Sequence, residues 1–293
     1  MDTLVQIKVI AREPEATVLP LLERAFAAFT AVEATCSRFS PASELSRLAG
    51  RVGEPVPVSD LLFEALRFAL EVAEATQGAF DPTVGGRLAS YGFDRNYRTG
   101  ERLDTGIDPA LPVSYRDIEL DAGQRTVRLR QPLQLDLGAV AKGLAIDLAA
   151  RELAPLRRFV VEAGGDLYAS GHNDRDEPWT IGIQHPLRPG ETICALRLTD
   201  TAVCTSGSYA RPSPLRAATH HLIDPGSGLS RLDLLSCTVV APGAMLADAL
   251  STAAFVLGPE RGMAFLTEAG VDGLCIDASL QLQMTTKIAR HVV

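Results

Sequence analysis

From Asp117 onward the chain alternates short apolar runs with tight turns, and no other feature restricts its fold as strongly. Ile118-Glu119-Leu120 and Thr126-Val127-Arg128-Leu129 are joined across Asp121-Ala122-Gly123-Gln124, the pattern of a hairpin. A helix over 142–153 follows, then strands at 159–162, 179–184, 193–198 and 236–240. Residues 245–257 and 259–269 read as helices, with closing strands at 273–276 and 280–284. Short strands with hairpin turns outnumber strand–helix–strand units. The expected class is therefore mixed α+β, with mostly antiparallel sheets and helices packed on them.

The earlier half has fewer and longer elements. Val5, Ile7 and Val9 alternate with Gln6 and Lys8, the period of a half-buried strand. Residues 18–34 are apolar at helical spacing, with Thr17 as a cap and Pro20 in the first turn. Residues 60–77 form an amphipathic helix with Ser59 as N-cap, a stripe of Leu62, Leu66, Ala69 and Ala73, and Gly78 at the stop. Residues 85–113 are rich in Gly, Pro, Arg and Asp and read as an irregular excursion. No repeat or flexible linker divides the chain, so 1–293 reads as one unit, with any two lobes meeting near residue 115.

Composition excludes several functions. A net charge of −8 argues against a nucleic-acid partner, which would need clustered Lys and Arg. A metal-bound dinucleotide stays permitted, because a cation and helix N-termini can hold phosphates. The five cysteines are odd in number and show no CxxC spacing, which speaks against a disulfide framework or zinc site and for a reducing compartment. No run of about 18 apolar residues is available to span a membrane, and Met1–Ile10 lacks the form of a secretion signal. The expected location is cytoplasmic, or periplasmic if a leader has been removed.

Several segments could carry chemistry, each with a plainer reading beside it. Leu135-Asp136-Leu137-Gly138-Ala139-Val140-Ala141-Lys142-Gly143 is a small-residue turn into a helix, either an anion site strengthened by Lys142 or a packing corner. Ala163-Gly164-Gly165-Asp166-Leu167 leaves a strand through two glycines, as a ligand cradle or a turn of positive φ. Cys204-Thr205-Ser206-Gly207-Ser208-Tyr209 reads as a hydroxyl-rich loop in which Ser206 and Gly207 could meet a ring or phosphate, or as a Ser/Thr turn. In His220-His221-Leu222-Ile223-Asp224, alternation turns His220 and His221 to opposite faces, so that one histidine can face a cleft as a proton acceptor; the plainer reading is that His221 satisfies a core hydrogen bond. Asp248 and Thr252 stand one helical turn apart in an apolar helix, a carboxylate and a hydroxyl suited to magnesium. The alternative is a back-bonded threonine and a surface acid.

In order, these segments resemble the FAD:protein FMN transferase (ApbE-type) family. The matching stretches are Ser37-Arg38-Phe39 with Ser43-Glu44-Leu45-Ser46, Gly78-Ala79-Phe80-Asp81-Pro82-Thr83, the Asp136–Gly143 stretch and Ala163-Gly164-Gly165-Asp166-Leu167. Thr205-Ser206-Gly207, His221-Leu222-Ile223-Asp224-Pro225 and Ala247-Asp248-Ala249-Leu250-Ser251-Thr252 complete the series. The resemblance implies an ApbE-like fold, FAD as substrate and Mg²⁺ held by Asp248, Thr252 and an oxygen of Ala139. It places Met1 and Phe39 against the flavin, and Ala79, Phe80 and Asp81 in a loop touching FAD. Asp136 and Lys142 would line the nucleotide, Leu222 would offer its backbone, and His221 would be the proton acceptor. The implied reaction moves FMN from FAD to a Ser/Thr hydroxyl of a flavoprotein in an electron-transfer system, releasing AMP. The competing reading is a protein that only binds FAD, or one that hydrolyses it to FMN and AMP. This chain departs from the family pattern at Asp2, Ala49, Ser208 and Gly226-Ser227.

Overall fold

Strand alternation sorts the side chains into two cores, and that sorting sets the layers. The computed structural model describes residues 3–96, 99–103 and 106–293. The strands are β1 (Val5–Val9), β2 (Val56–Pro57), β3 (Ile118–Asp121), β4 (Thr126–Leu129), β5 (Phe159–Ala163) and β6 (Asp166–Ser170). They continue with β7 (Trp179–Gln184), β8 (Thr192–Leu198), β9 (Thr201–Gly207), β10 (Leu234–Ala241), β11 (Asp272–Asp277) and β12 (Leu282–Met284). The helices are α1 (Glu15–Cys36), α2 (Glu44–Ala49), α3 (Asp60–Ala75), α4 (Gly85–Ser90), α5 (Gly138–Leu153), α6 (Ala244–Leu257) and α7 (Pro259–Glu268).

Seven strands make the main sheet in the order β1-β5-β6-β9-β10-β11-β12, every neighbouring pair antiparallel. Along β9, Ala202 and Cys204 join one core while Val203 joins the other; along β11, Cys275 separates from Leu274 and Ile276 in the same way. This is the period of two expected of a strand buried on both faces. One face packs on apolar residues of α1, α3, α5 and α6. The other carries the β7–β8 hairpin through Trp179, Ile183, Leu196 and Leu198. The small sheet β2-β4-β3 adds Val127 and Leu129 to the helical side. The mixed, antiparallel α+β class expected from the sequence is the one observed. No described helix is long and apolar enough to cross a membrane.

Local signals explain most boundaries. Ser59 caps α3 by accepting from Leu62 N–H at 3.3 Å, and Gly78 (φ 83°) ends the exit turn, its N–H bonded to Ala73 O. Several boundaries differ from the expectation. Helix α1 begins at Glu15, so Thr17 lies inside its first turn, bonded to Pro14 O, and Pro20 sits in the second turn. Helix α5 begins at Gly138, four residues before the expected start, because the Asp136 carboxylate accepts the Gly138 N–H at 2.7 Å. Residues 205–207, expected in a loop, belong to β9 and pair with 236–238 of β10. Strand β6 was not foreseen; it follows β5 through Gly164 (φ 61°) and Gly165 (φ 92°), and the excursion at 85–113 contains α4.

Candidate active site

The polar centre forms where α5 crosses α6 over β6 and β9. The crossing is close because Gly143 has no side chain: a Cβ there would lie 2.3 Å from Ala244 O and 2.6 Å from Met245 Cα. Asp147 fixes the start of α6, accepting Ala244 N–H at 2.6 Å and Met245 N–H at 2.9 Å. A carboxylate placed there satisfies two orphan donors and complements the helix dipole. Burial pushes the Asp147 carboxyl above the usual carboxylate range, against those two bonds.

This crossing brings Asp248 of α6 to α5. Asp248 is 5% exposed among buried alanines, and its Oδ2 accepts Gly143 N–H at 3.3 Å and stands 3.3 Å from Lys142 Nζ. Lys142 also pairs with Asp166, which is 2% exposed and whose Oδ1 accepts Thr205 N–H at 2.8 Å. Two buried carboxylates thus share one ammonium. Left alone, the surplus negative charge would be costly in so dry a place.

A chain of hydroxyls lies beside it. Ser251 Oγ donates to Asp248 O at 2.9 Å, Ser206 Oγ is 2.9 Å from Ser251 Oγ, and Thr252 Oγ1 is 2.9 Å from Ser206 Oγ. Each hydroxyl has one proton. Ser251 spends its own on Asp248 O, so Ser206 donates to Ser251 and Thr252 donates to Ser206. The Thr252 lone pairs then remain free to bind a cation. Carboxylate, hydroxyl and carbonyl oxygens are the donor set of a hard divalent ion, so these residues fit Mg²⁺. The described residues contain no cluster of three or more His, Cys, Asp or Glu side chains for a metal, so a cation here would rely on hydroxyl, carbonyl or substrate oxygens as well.

A second group lies around the start of α5. Arg38 is 6% exposed, donates from Nε to Asp136 Oδ2 at 2.5 Å and from a terminal nitrogen to Phe93 O at 2.6 Å, and lies 4.1 Å over the Phe39 ring. His221 meets Phe93 edge-on at 6.4 Å, and its Nδ1 is buried without a hydrogen-bond partner. Burial, reinforced by the Arg211 and His220 charges, pushes the His221 ring down to about 3, while a hydrogen bond to the Arg211 backbone and the Asp136 charge pull it up. His220 differs. Its Nδ1 accepts Leu222 N–H at 3.2 Å, so Nε2 carries the proton and donates to Arg231 O at 2.8 Å. Burial lowers it as well, and both its nitrogens are spent.

The other expected site residues fall as follows. Ala139 is in the first turn of α5, partly exposed, and Leu222 is buried. Ala79 is partly exposed, Phe80 is turned into the core, and Asp81 accepts from Thr83 N–H, Thr83 Oγ1 and Tyr115 N–H. Burial raises the Asp81 carboxyl despite these bonds. That loop is tied to the site by Asp136 N–H bonding Pro82 O at 2.8 Å. Gly207 leaves room for the Tyr209 ring, which a Cβ would approach to 2.8 Å. Met1 lies outside the described residues. Sequence reasoning gave no role to Arg38, Asp147, Asp166 or Ser251. Asp147, an acid in an apolar helix, carried only part of the signal that singled out Asp248, since Arg151 and not a hydroxyl stands one turn on; Asp166 carried only its place after two glycines.

The described chain is thus a helix-covered antiparallel sheet with buried carboxylates, a chain of hydroxyls and a buried histidine where α5 meets α6 and the Arg38–Asp136 pair. Residues 1–275 match the ApbE family, and the chain belongs to it. It is 33% identical over 315 residues to the FAD:protein FMN transferase of Treponema pallidum, covering 100% of this chain and 86% of that protein. The enzyme of that name from Haemophilus influenzae is 33% identical over 250 residues, covering 79% and 71%. Among solved structures, the ApbE protein of Thermotoga maritima superposes with a TM-score of 0.86 at 27% identity, over 99% of this chain and 98% of that one. The flavin transferase ApbE of Vibrio cholerae gives 0.83 at 26% identity, over 99% and 96%.

Proposed function

We propose that this chain transfers FMN from FAD to a serine or threonine hydroxyl of a protein acceptor, releasing AMP. The observation that carries the reading is the pairing of a cation-ready oxygen cluster at Asp248 and Thr252 with a neutral histidine at His221. Asp248, Thr252 and the Ala139 carbonyl would hold Mg²⁺, which when bound neutralises charge on the pyrophosphate and on the departing AMP.

The protein's own groups supply position and proton transfer. Asp136 and Lys142 line the nucleotide, Ser206 and Gly207 border the cluster, and Leu222 with the 79–81 loop and Met1 completes the FAD contacts. Phe39, backed by the Arg38 guanidinium, offers an aromatic face to the flavin. His221 takes the proton of the acceptor hydroxyl, whose oxygen then bonds the FMN phosphorus as the phosphorus–AMP oxygen bond breaks. Alignment of these groups contributes most of the rate, as in other phosphoryl transfers. The fitting acceptor is a flavoprotein subunit of an electron-transfer system with an exposed hydroxyl. The test is incubation with FAD, Mg²⁺ and such an acceptor, following AMP and acceptor mass together. AMP release with a gain of one FMN group on the acceptor is expected. AMP without the adduct would mean hydrolysis by water, and FAD retained without AMP would leave only a binding protein.

A further inference from the structure

Lys142 faces two buried acids, and its charge can serve only one of them fully. Its ammonium pairs with Asp166 and stands 3.3 Å from Asp248 Oδ2. Asp166 is well placed to keep it. The carboxylate is held from the other side by Thr205 N–H at 2.8 Å, on a strand paired to both neighbours in the sheet, and the β5–β6 turn through Gly164 and Gly165 sets its position. Lys142 stands on α5, next to Gly143, where the backbones of α5 and α6 come closest.

We infer that Asp166 is a positioning residue that shares the Lys142 ammonium with Asp248, so that the lysine neutralises Asp248 only in part and its carboxylate keeps charge for a divalent cation. Without it, the whole of the lysine's charge is left to Asp248, and the existing ion pair there tightens. A cation would then have to displace an ammonium from a low-dielectric site, where opposite charges attract strongly. Among the described residues, the bonds seen at the Asp248 carboxylate all fall on Oδ2, from Gly143 N–H and Lys142. The inference rests on the proposed reading of Asp248 and Thr252 as the cation site.

The experiment titrates Mn²⁺ alone into FAD-free protein and reads free Mn²⁺ by electron paramagnetic resonance. Asp166→Asn keeps the acceptor for Thr205 N–H but loses the charge, and should weaken Mn²⁺ binding by about tenfold or more. Lys142→Met alone should tighten it, and Asp166→Asn combined with Lys142→Met should return affinity to within about threefold of the parent or better. That rescue separates holding the lysine from a general structural role, which removing a second charge would not repair. If Asp166→Asn does not fold, tighter binding in Lys142→Met still decides the question. Unchanged affinity in Asp166→Asn, no rescue in the double variant, or weaker binding in Lys142→Met overturns the inference. Asp248→Asn distinguishes the underlying reading: if it binds as the parent does, the cation site lies elsewhere and both proposals fall together.

Discussion

His220 and His221 are adjacent in sequence, yet only His221 can accept a proton. His220 spends Nδ1 on Leu222 N–H and Nε2 on Arg231 O, whereas His221 Nδ1 is unpaired. Since burial pushes the free His221 ring down to about 3, it is already deprotonated at working pH. Anionic phosphates arriving beside it favour the imidazolium, so FAD binding moves the ring back toward its ordinary value. The acid limb of kcat, which reports the loaded enzyme, should therefore lie at higher pH than that of kcat/KM. Coincident limbs in the two profiles would remove His221 as the titrating base. His221→Ala should slow transfer by about a hundredfold or more, with FAD still bound, as loss of a general base commonly does. For Asp248→Ala we expect turnover to drop by about two orders of magnitude at limiting Mg²⁺ with the fold intact, since alanine suits the helix and Lys142 keeps Asp166. Unchanged turnover there would rule out Asp248 as a ligand. Neither histidine's role was readable from alternation alone, because the choice between them depends on Arg231 O, a partner of His220 eleven residues further on.

At the scale of elements, the site is a consequence of two helices touching. Replacing Gly143 by Ala sets a methyl against Ala244 O, Ala244 C and Met245 Cα, all backbone, so α5 and α6 must part. The expected cost is about 1–3 kcal/mol of stability. Turnover should fall further than that cost implies, because Lys142 and Gly143 lie on one side of the gap and Asp248 on the other. A variant with lowered urea midpoint but full activity would show that the crossing distance does not matter to the chemistry. The sequence displayed the helices themselves through apolar spacing and Ser59, and it displayed Asp248 and Thr252 as one face of α6. It did not display the start of α5 at Gly138, where the stop signal for the preceding chain and the cap are one residue, Asp136, acting across two positions. Nor did it display Thr205, Ser206 and Gly207 as strand, because hydroxyls and glycine score as turn residues until β10 is present to pair with them.

For the molecule as a whole, burying neutral histidines ties stability to pH. The folded His221 ring binds a proton only near pH 3, whereas in the unfolded chain it does so below about 6.5. Between those values the unfolded state holds more protons, so its share of the stability is complete above pH 6.5 and is lost as pH falls toward 3. His220 is lowered by burial too and works in the same direction. Asp81 and Asp147 oppose them, since burial raises their carboxyls and the folded state takes up those protons first. The histidines begin to act near pH 6.5 and the acids only as pH approaches their own folded values, so the first loss on acidification belongs to the histidines. Urea midpoints should be level from pH 8 to 7 and then decline, His221 contributing up to about 1.4 kcal/mol per pH unit. His221→Gln, which cannot protonate, should flatten that decline while leaving the dependence of stability on urea unchanged in slope. Parallel declines in parent and variant between pH 6.5 and 5 would mean that His221 finds a proton-stabilising partner in the fold, and with it the case for a neutral base at this position would fail.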